Sequence, residues 1–182
     1  MEYLDVFDKN YKHIGVEERT KVHQKGLWHH TFHCWLIKKE HDETYVLFQK
    51  RSNTKEDYPD LFDISAAGHL EAGETPNDGV REVEEELGLS FAIEELDFLG
   101  VIPVEASMGI GKFDREYCYT YSKLVDDQLF NQLKLDTKEV ESVSWFSLKE
   151  CEQLLCDNEI DPRFVPHPKA YYQKVIDALS KM

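Results

Sequence analysis

Hydrophobic residues along the chain gather into short runs of strand character, interrupted once by a stripe of helical period. Residues 3–7 and 13–16 flank Asp8-Lys-Asn-Tyr11, a turn composition, and predict a hairpin. Residues 31–37 (TFHCWLI) and 45–49 (YVLFQ) are aromatic and aliphatic runs on either side of a charged link, and predict paired strands. Residues 61–66, 96–104, 113–122 and 140–146 predict four more. Between them lie a polar stretch holding His23, Gly26 and His29, a polar loop over 50–59, a glycine-bearing loop over 106–112 and an acidic connector over 126–138. Residues 148–155 and 168–179 predict helices. Strands mixed with helices and no internal repeat give a sheet flanked by helices, of class α+β.

The helical stripe is Val80, Val83 and Leu87, at i, i+3 and i+7, within residues 68–89 (GHLEAGETPNDGVREVEEELGL). Thr75 suits the N-cap, Pro76 the first helical position and Asp78 the acidic place of a capping box, while Gly88 supplies the stop. Glu82, Glu85 and Glu86 stand at i, i+3 and i+4 and share a different face. Like charges at that spacing destabilise a helix by roughly a few tenths of a kcal/mol per pair. A divalent ion among them removes the repulsion, and oxygen-only donors suit Mg²⁺ or Mn²⁺. Taken alone, the carboxylates fit a solvated acidic face equally well.

The whole string resembles the Nudix box, G-x5-E-x7-R-E-U-x-E-E-x-G-U with U aliphatic. Gly68, Glu74, Arg81, Glu82, Val83, Glu85, Glu86, Gly88 and Leu89 match in order. The string departs once, with six residues rather than seven between Glu74 and Arg81. The missing residue falls at the loop-to-helix junction, so it bears on where Glu74 sits and little on the face carrying Glu82, Glu85 and Glu86. The resemblance extends across nearly the whole chain. It implies the Nudix α/β/α sandwich, a mixed curved sheet between helices, and metal-dependent hydrolysis of a phosphoanhydride bond in a small nucleoside-diphosphate-linked or related substrate. On that likeness Glu82, Glu85 and Glu86 hold Mg²⁺ or Mn²⁺. Glu82 or Glu85 takes the proton of the attacking water, with Glu116 an outside candidate. Arg81 orients a box glutamate, and Gly68 and Gly73 let the loop fold tightly under the helix. Dimers are common in the family, so a homodimer is compatible with the likeness.

Features outside the box are similar to the type I isopentenyl-diphosphate isomerases, which share the fold. That likeness implies a metal site at His23, His29 or His30, His69, Asp114 and Glu116, and diphosphate-binding residues at Arg51 and Lys55. The isomerase needs the cysteine of a Cys-Gly-His triplet, and here the triplet is Ala67-Gly68-His69. A methyl group neither gives nor takes a proton. The intact box therefore points to an isomerase-like Nudix hydrolase, with isomerase activity and a non-catalytic diphosphate-binding module as the alternatives. A sensing module would be expected to lose box glutamates.

Length and charge narrow the classes. A chain of 182 residues fits one domain spanning 1–182. A net charge of −15, from 21 basic and 36 acidic residues, argues against a nucleic-acid polymer or an anionic membrane as partner. Cys34, Cys118, Cys151 and Cys156 lack C-x-x-C spacing and read as reduced thiols of a cytoplasmic protein. No apolar run has membrane-spanning length, and the first residues lack a signal sequence. Bland readings stand beside the functional ones: His33 as a satisfied strand histidine, Glu139 as a polar cap on the last strand, Arg51 as a surface ion-pair partner. Trp28, Trp35 and Trp145 could stack on a base, with core packing the better reading for the last two.

Overall fold

The apolar run at 31–37 lies inside a strand of 13 residues, Trp28–Glu40, whose middle is buried on both faces. The computed structural model describes residues 1–182. Its strands are β1 (Tyr3–Phe7), β2 (His13–Glu18), β3 (Trp28–Glu40), β4 (Glu43–Arg51), β5 (Phe62–Asp63), β6 (Ala66–His69), β7 (Asp97–Ser107), β8 (Phe113–Leu124) and β9 (Val140–Ser147). Its α-helices are α1 (Arg19–Lys25), α2 (Pro76–Gly79), α3 (Arg81–Leu87), α4 (Asp127–Phe130), α5 (Leu148–Glu152) and α6 (Lys169–Leu179).

All nine strands belong to one mixed sheet, and β3 is its hub. It runs parallel to β8, with His29 opposite Glu116, and antiparallel to β6, with Thr31 opposite His69. At its two ends it meets β1 and β4. Side chains alternate across a strand, so Phe32, Cys34 and Leu36 face one way, into a core with Leu47, Val83 and Leu87 under α3. Trp35 and Ile37 face the other, into a core with Phe48, Ile64, Tyr172 and Val175 under α6. Helix, sheet and helix form the three layers expected from the sequence. No helix is long and apolar enough to cross a membrane.

Several local expectations are corrected. The polar stretch before β3 contains α1, which buries only Val22 and His23 and so shows no stripe. The helix expected from Thr75 to Gly88 is broken at Val80 into α2 and α3. The capping box of Thr75 and Asp78 fixes one segment and the Val83–Leu87 stripe fixes the other, and the chain steps between them at Gly79. A Cβ there would lie 2.7 Å from Phe32 and Leu70, so the step passes where only glycine fits. The single strand expected over 61–66 splits, β5 pairing with β4 and β6 with β3. Ser65 sits at the split, accepting from Leu36 N–H (2.8 Å) and donating to the Leu47 carbonyl (2.5 Å), so it bridges strands that have diverged. The acidic connector holds the single turn α4, capped by Asp126. After α5 the chain continues as a π turn over Gln153–Asp157, which carries Leu155 into the α6 core.

Candidate active site

The box loop and α3 open onto a cleft of about 620 Å³. Gly68 ends in contact with Glu82: a Cβ on residue 68 would lie 2.2 Å from the Glu82 carboxyl carbon. Burial pushes the Glu82 carboxyl up to about 7, against the neighbouring Arg81 charge. Glu86 lies deeper, accepting from Gln49 Nε2 (2.7 Å) and Ala67 N–H (3.1 Å), and burial pushes it up to about 8. Glu85 lines the same cleft with its side chain 60% exposed. Arg81 stands among three carboxylates, at 3.2 Å from Glu74, 3.2 Å from Glu82 and 3.7 Å from Glu85. The one-residue deletion therefore leaves Glu74 within reach of Arg81.

A second cluster adjoins the first through His69. Helix α1 brings His23, β3 brings His29, β6 brings His69, and β8 brings Asp114 and Glu116 on one face. The sequence leaves open which of His29 and His30 joins it, and strand alternation decides. His29 is fully buried at the cluster, whereas His30 points away and stacks on Phe7 with ring centroids 3.9 Å apart. His29 Nε2, His69 Nε2 and Asp114 Oδ1 are buried without a hydrogen-bond partner, an arrangement that costs free energy unless something else completes it. Burial pushes the His29 imidazole down to about 4 and His69 well below its ordinary value, so both are neutral, the form that binds metals. Burial and the Asp114 charge push Glu116 well up, whereas Asp114, despite its own burial, is held down by His23 and His29. His33, the strand histidine, is satisfied as expected: its Nδ1 pairs with the Tyr171 hydroxyl at 2.7 Å.

The basic residues of the cleft are all paired. Arg51 donates to Asp63 (2.9 Å) and to the Asp57 carbonyl, Lys55 pairs with Glu139, and Arg19 pairs with Glu2. Eleven carboxylates line the cleft against four guanidinium or ammonium groups, so an anion entering it meets a negative wall. Glu139, expected to cap the last strand, instead faces Lys55 across the cleft wall. Trp28 stacks on Tyr117 at 4.6 Å and Trp35 donates to Tyr171 from within the core. The four cysteines are free.

Residues 27–167 match the model of the NUDIX domain. The chain belongs to the Nudix family. An uncharacterized Nudix hydrolase of Clostridium acetobutylicum is 37% identical, with 98% of this chain and 97% of that one aligned. The isopentenyl-diphosphate Delta-isomerase 2 of Photorhabdus laumondii is 28% identical over 74% of this chain and 80% of its own length. Among solved structures, a MutT protein from Methanosarcina mazei superposes with a TM-score of 0.61 at 18% identity, covering 85% of this chain and 96% of that one.

As a Nudix hydrolase the chain is an enzyme of the pyrophosphohydrolase type, acting on small substrates. Three residues of this Nudix cleft escape a motif reading: Gln49, which holds Glu86, and Asp63 and His167 beside Arg51. Gln49 and Asp63 are polar residues closing or interrupting apolar runs, a signal of a satisfied buried group. His167 is marked only by its flanking prolines.

Proposed function

We propose that this Nudix chain hydrolyses the phosphoanhydride bond of a small diphosphate substrate, nucleoside-diphosphate-linked or related, with Mg²⁺ or Mn²⁺ as cofactor. The observation that carries the reading is the carboxylate pair of buried Glu86 and half-buried Glu82 in a cleft whose every cation is already paired. A diphosphate approaches such a wall only with added positive charge. Glu82, Glu85 and Glu86 are the oxygen donors suited to a hard ion. His69 and Glu116, with His23, His29 and Asp114, suit a second ion by mixed nitrogen and oxygen donors, and their orphaned buried atoms fit that role. Bound there, such ions neutralise the diphosphate and lower the pKa of an attacking water.

The chain's own groups do the rest. Glu82 or Glu85 accepts the water's proton, and Arg81 keeps both carboxylates in place. Gly68, lacking a Cβ, leaves the space that the Glu82 carboxyl occupies beside the substrate. Arg51 uses three of its five N–H donors within the protein and Lys55 one of its three, so both keep donors for phosphate oxygens. The four free cysteines, three of them buried, fit a reducing compartment such as the cytoplasm.

The test is anhydride cleavage of a panel of nucleoside diphosphates, nucleotide sugars and dinucleotides with Mg²⁺ or Mn²⁺, read by chromatography of the mononucleotide products, comparing the parent chain with Glu82→Gln and Glu85→Gln. Both variants are expected to fold and to lose about 10²-fold or more in turnover. Unchanged turnover in either removes that residue from the metal face. Isopentenyl diphosphate is expected to yield no dimethylallyl isomer, because Ala67 offers its neighbours only a backbone N–H, which donates to Glu86; formation of the isomer would overturn this use of Ala67.

A further inference from the structure

One buried carboxylate in the cleft is occupied by neither metal cluster. Asp63, the last residue of β5, is 7% exposed and accepts three hydrogen bonds: from its neighbour Ile64 N–H (2.8 Å), from Arg51 Nη1 (2.9 Å) and from His167 Nε2 (2.8 Å). Burial alone would raise its carboxyl, but His167 and Arg51 outweigh burial and hold it far below the carboxylate range. An ionised carboxylate only accepts, so Nε2 of His167 carries the proton.

The imidazole is positioned with some care. The backbone of residues 163–165 lies along β5, with Phe62 N–H donating to the Arg163 carbonyl (2.8 Å) and Val165 N–H to the Phe62 carbonyl (2.9 Å). Pro166 and Pro168 restrict the backbone on either side of His167. Its ring packs against Tyr171 and Tyr172, at 5.4 and 5.6 Å between centroids. The other nitrogen, Nδ1, has no partner in the chain and, unlike Nε2 of His29 and His69, is not shut away from solvent; the residue lines the cleft. Asp63 pairs in register with Gln49, and Gln49 holds Glu86. Facing pairs on adjacent strands stand about 5 Å apart, so Asp63 lies one strand over from the residue that holds the deepest box carboxylate, and its assembly lines the same cleft.

We propose that Arg51 and His167, both held by Asp63, form the subsite for the phosphoryl group farther from the box carboxylates. His167 is a substrate-contact residue and Asp63 a positioning residue. Nδ1 accepts from a monoprotonated phosphoryl oxygen or, once protonated, donates to an ionised one, and in either state Asp63 fixes Nε2–H. The proposal rests on the diphosphate reading above.

The probe is imidodiphosphate, which is not hydrolysed at the anhydride position, titrated calorimetrically into the full chain with MgCl₂ present. Binding by the parent chain and a loss of about tenfold in affinity in His167→Ala and His167→Gln are expected. The glutamine amide still donates to Asp63, so the second variant keeps the fold if the first does not. In long-range ¹H–¹⁵N spectra of the imidazoles, His167 Nδ1 is expected to shift on titration, and Asp63→Asn to move His167 toward the Nδ1–H tautomer. Parent-like affinity in both His167 variants, with a stationary Nδ1 resonance, overturns the subsite. Failure of the parent chain to bind imidodiphosphate overturns the subsite and the diphosphate reading together. His167-dependent binding in a chain that hydrolyses nothing upholds the subsite and defeats only the hydrolytic reading.

Discussion

At residue 68 the absence of one methyl group decides the geometry of the box. The Glu82 carboxyl fills the volume a Cβ would take, and there it stands 3.2 Å from Arg81 Nη2. Gly68→Ala is therefore expected to swing Glu82 out of the cleft. Overpacking of this kind costs about 1–3 kcal/mol, but the larger effect falls on catalysis, with metal-dependent turnover down by about 10-fold or more. Turnover near the parent value would mean that Glu82 works from a different rotamer. The motif exposes these residues in the sequence because glycine and glutamate stand at fixed spacing there. Asp63, Gln49 and His167 carry no such spacing: they come from β4, β5 and the approach to α6, and only strand pairing brings them to one wall.

Among the elements, strands were the most legible, since an apolar run such as TFHCWLI has few alternatives to a strand buried on both faces. Less legible were the places where two elements share one stretch of sequence. Nothing in residues 61–66 announces that their two ends pair with different strands, because Ser65 is small and polar like any turn residue, and its bridging role exists only once β3 and β4 have separated. The box helix shows the same effect. Its cap and its stripe are each readable, yet the step at Gly79–Val80 follows from the packing of Gly79 on Phe32. The two segments are anchored separately, α2 by the capping box and α3 by Val83 and Leu87. Thr75→Ala removes the hydroxyl that donates to Asp78 and keeps the residue-75 N–H bond to the same carboxylate, so the cost is at the low end for an N-cap, about 0.5 kcal/mol, hence about 1–2 °C in Tm. Turnover is expected to stay within about twofold because α3 keeps its own anchors; a large fall would show that the step transmits strain to the ligand-bearing turn.

For the molecule as a whole, the acid-rich cleft makes stability depend on pH and metal together. Glu82 and Glu86 are raised to about 7 and about 8 by burial, and Glu116 is raised in the same sense. The folded chain thus keeps protons that the unfolded chain releases near its ordinary glutamate value of 4.5. Their contribution is complete below that value and is lost as pH rises through the folded values. The buried histidines work with opposite sign. His29 and His33 are lowered to about 4 and about 3 by burial, so stability rises with pH until their ordinary value of 6.5 is passed, and above it they are neutral in both states. Between about pH 6.5 and 8.5 the carboxylates act alone. With chelator present, the loss across that window is on the order of 2 kcal/mol, and Tm is expected to fall by about 4–8 °C. On the function proposed above, Mg²⁺ or Mn²⁺ would bind the ionised carboxylates of the folded chain and is expected to oppose the fall by mass action. Thermal melts at several pH values, with chelator and with MgCl₂, read both effects. A Tm that is level across this range in chelator would mean that the box carboxylates are ionised without a bound ion, and the cleft would then have no built-in demand for metal.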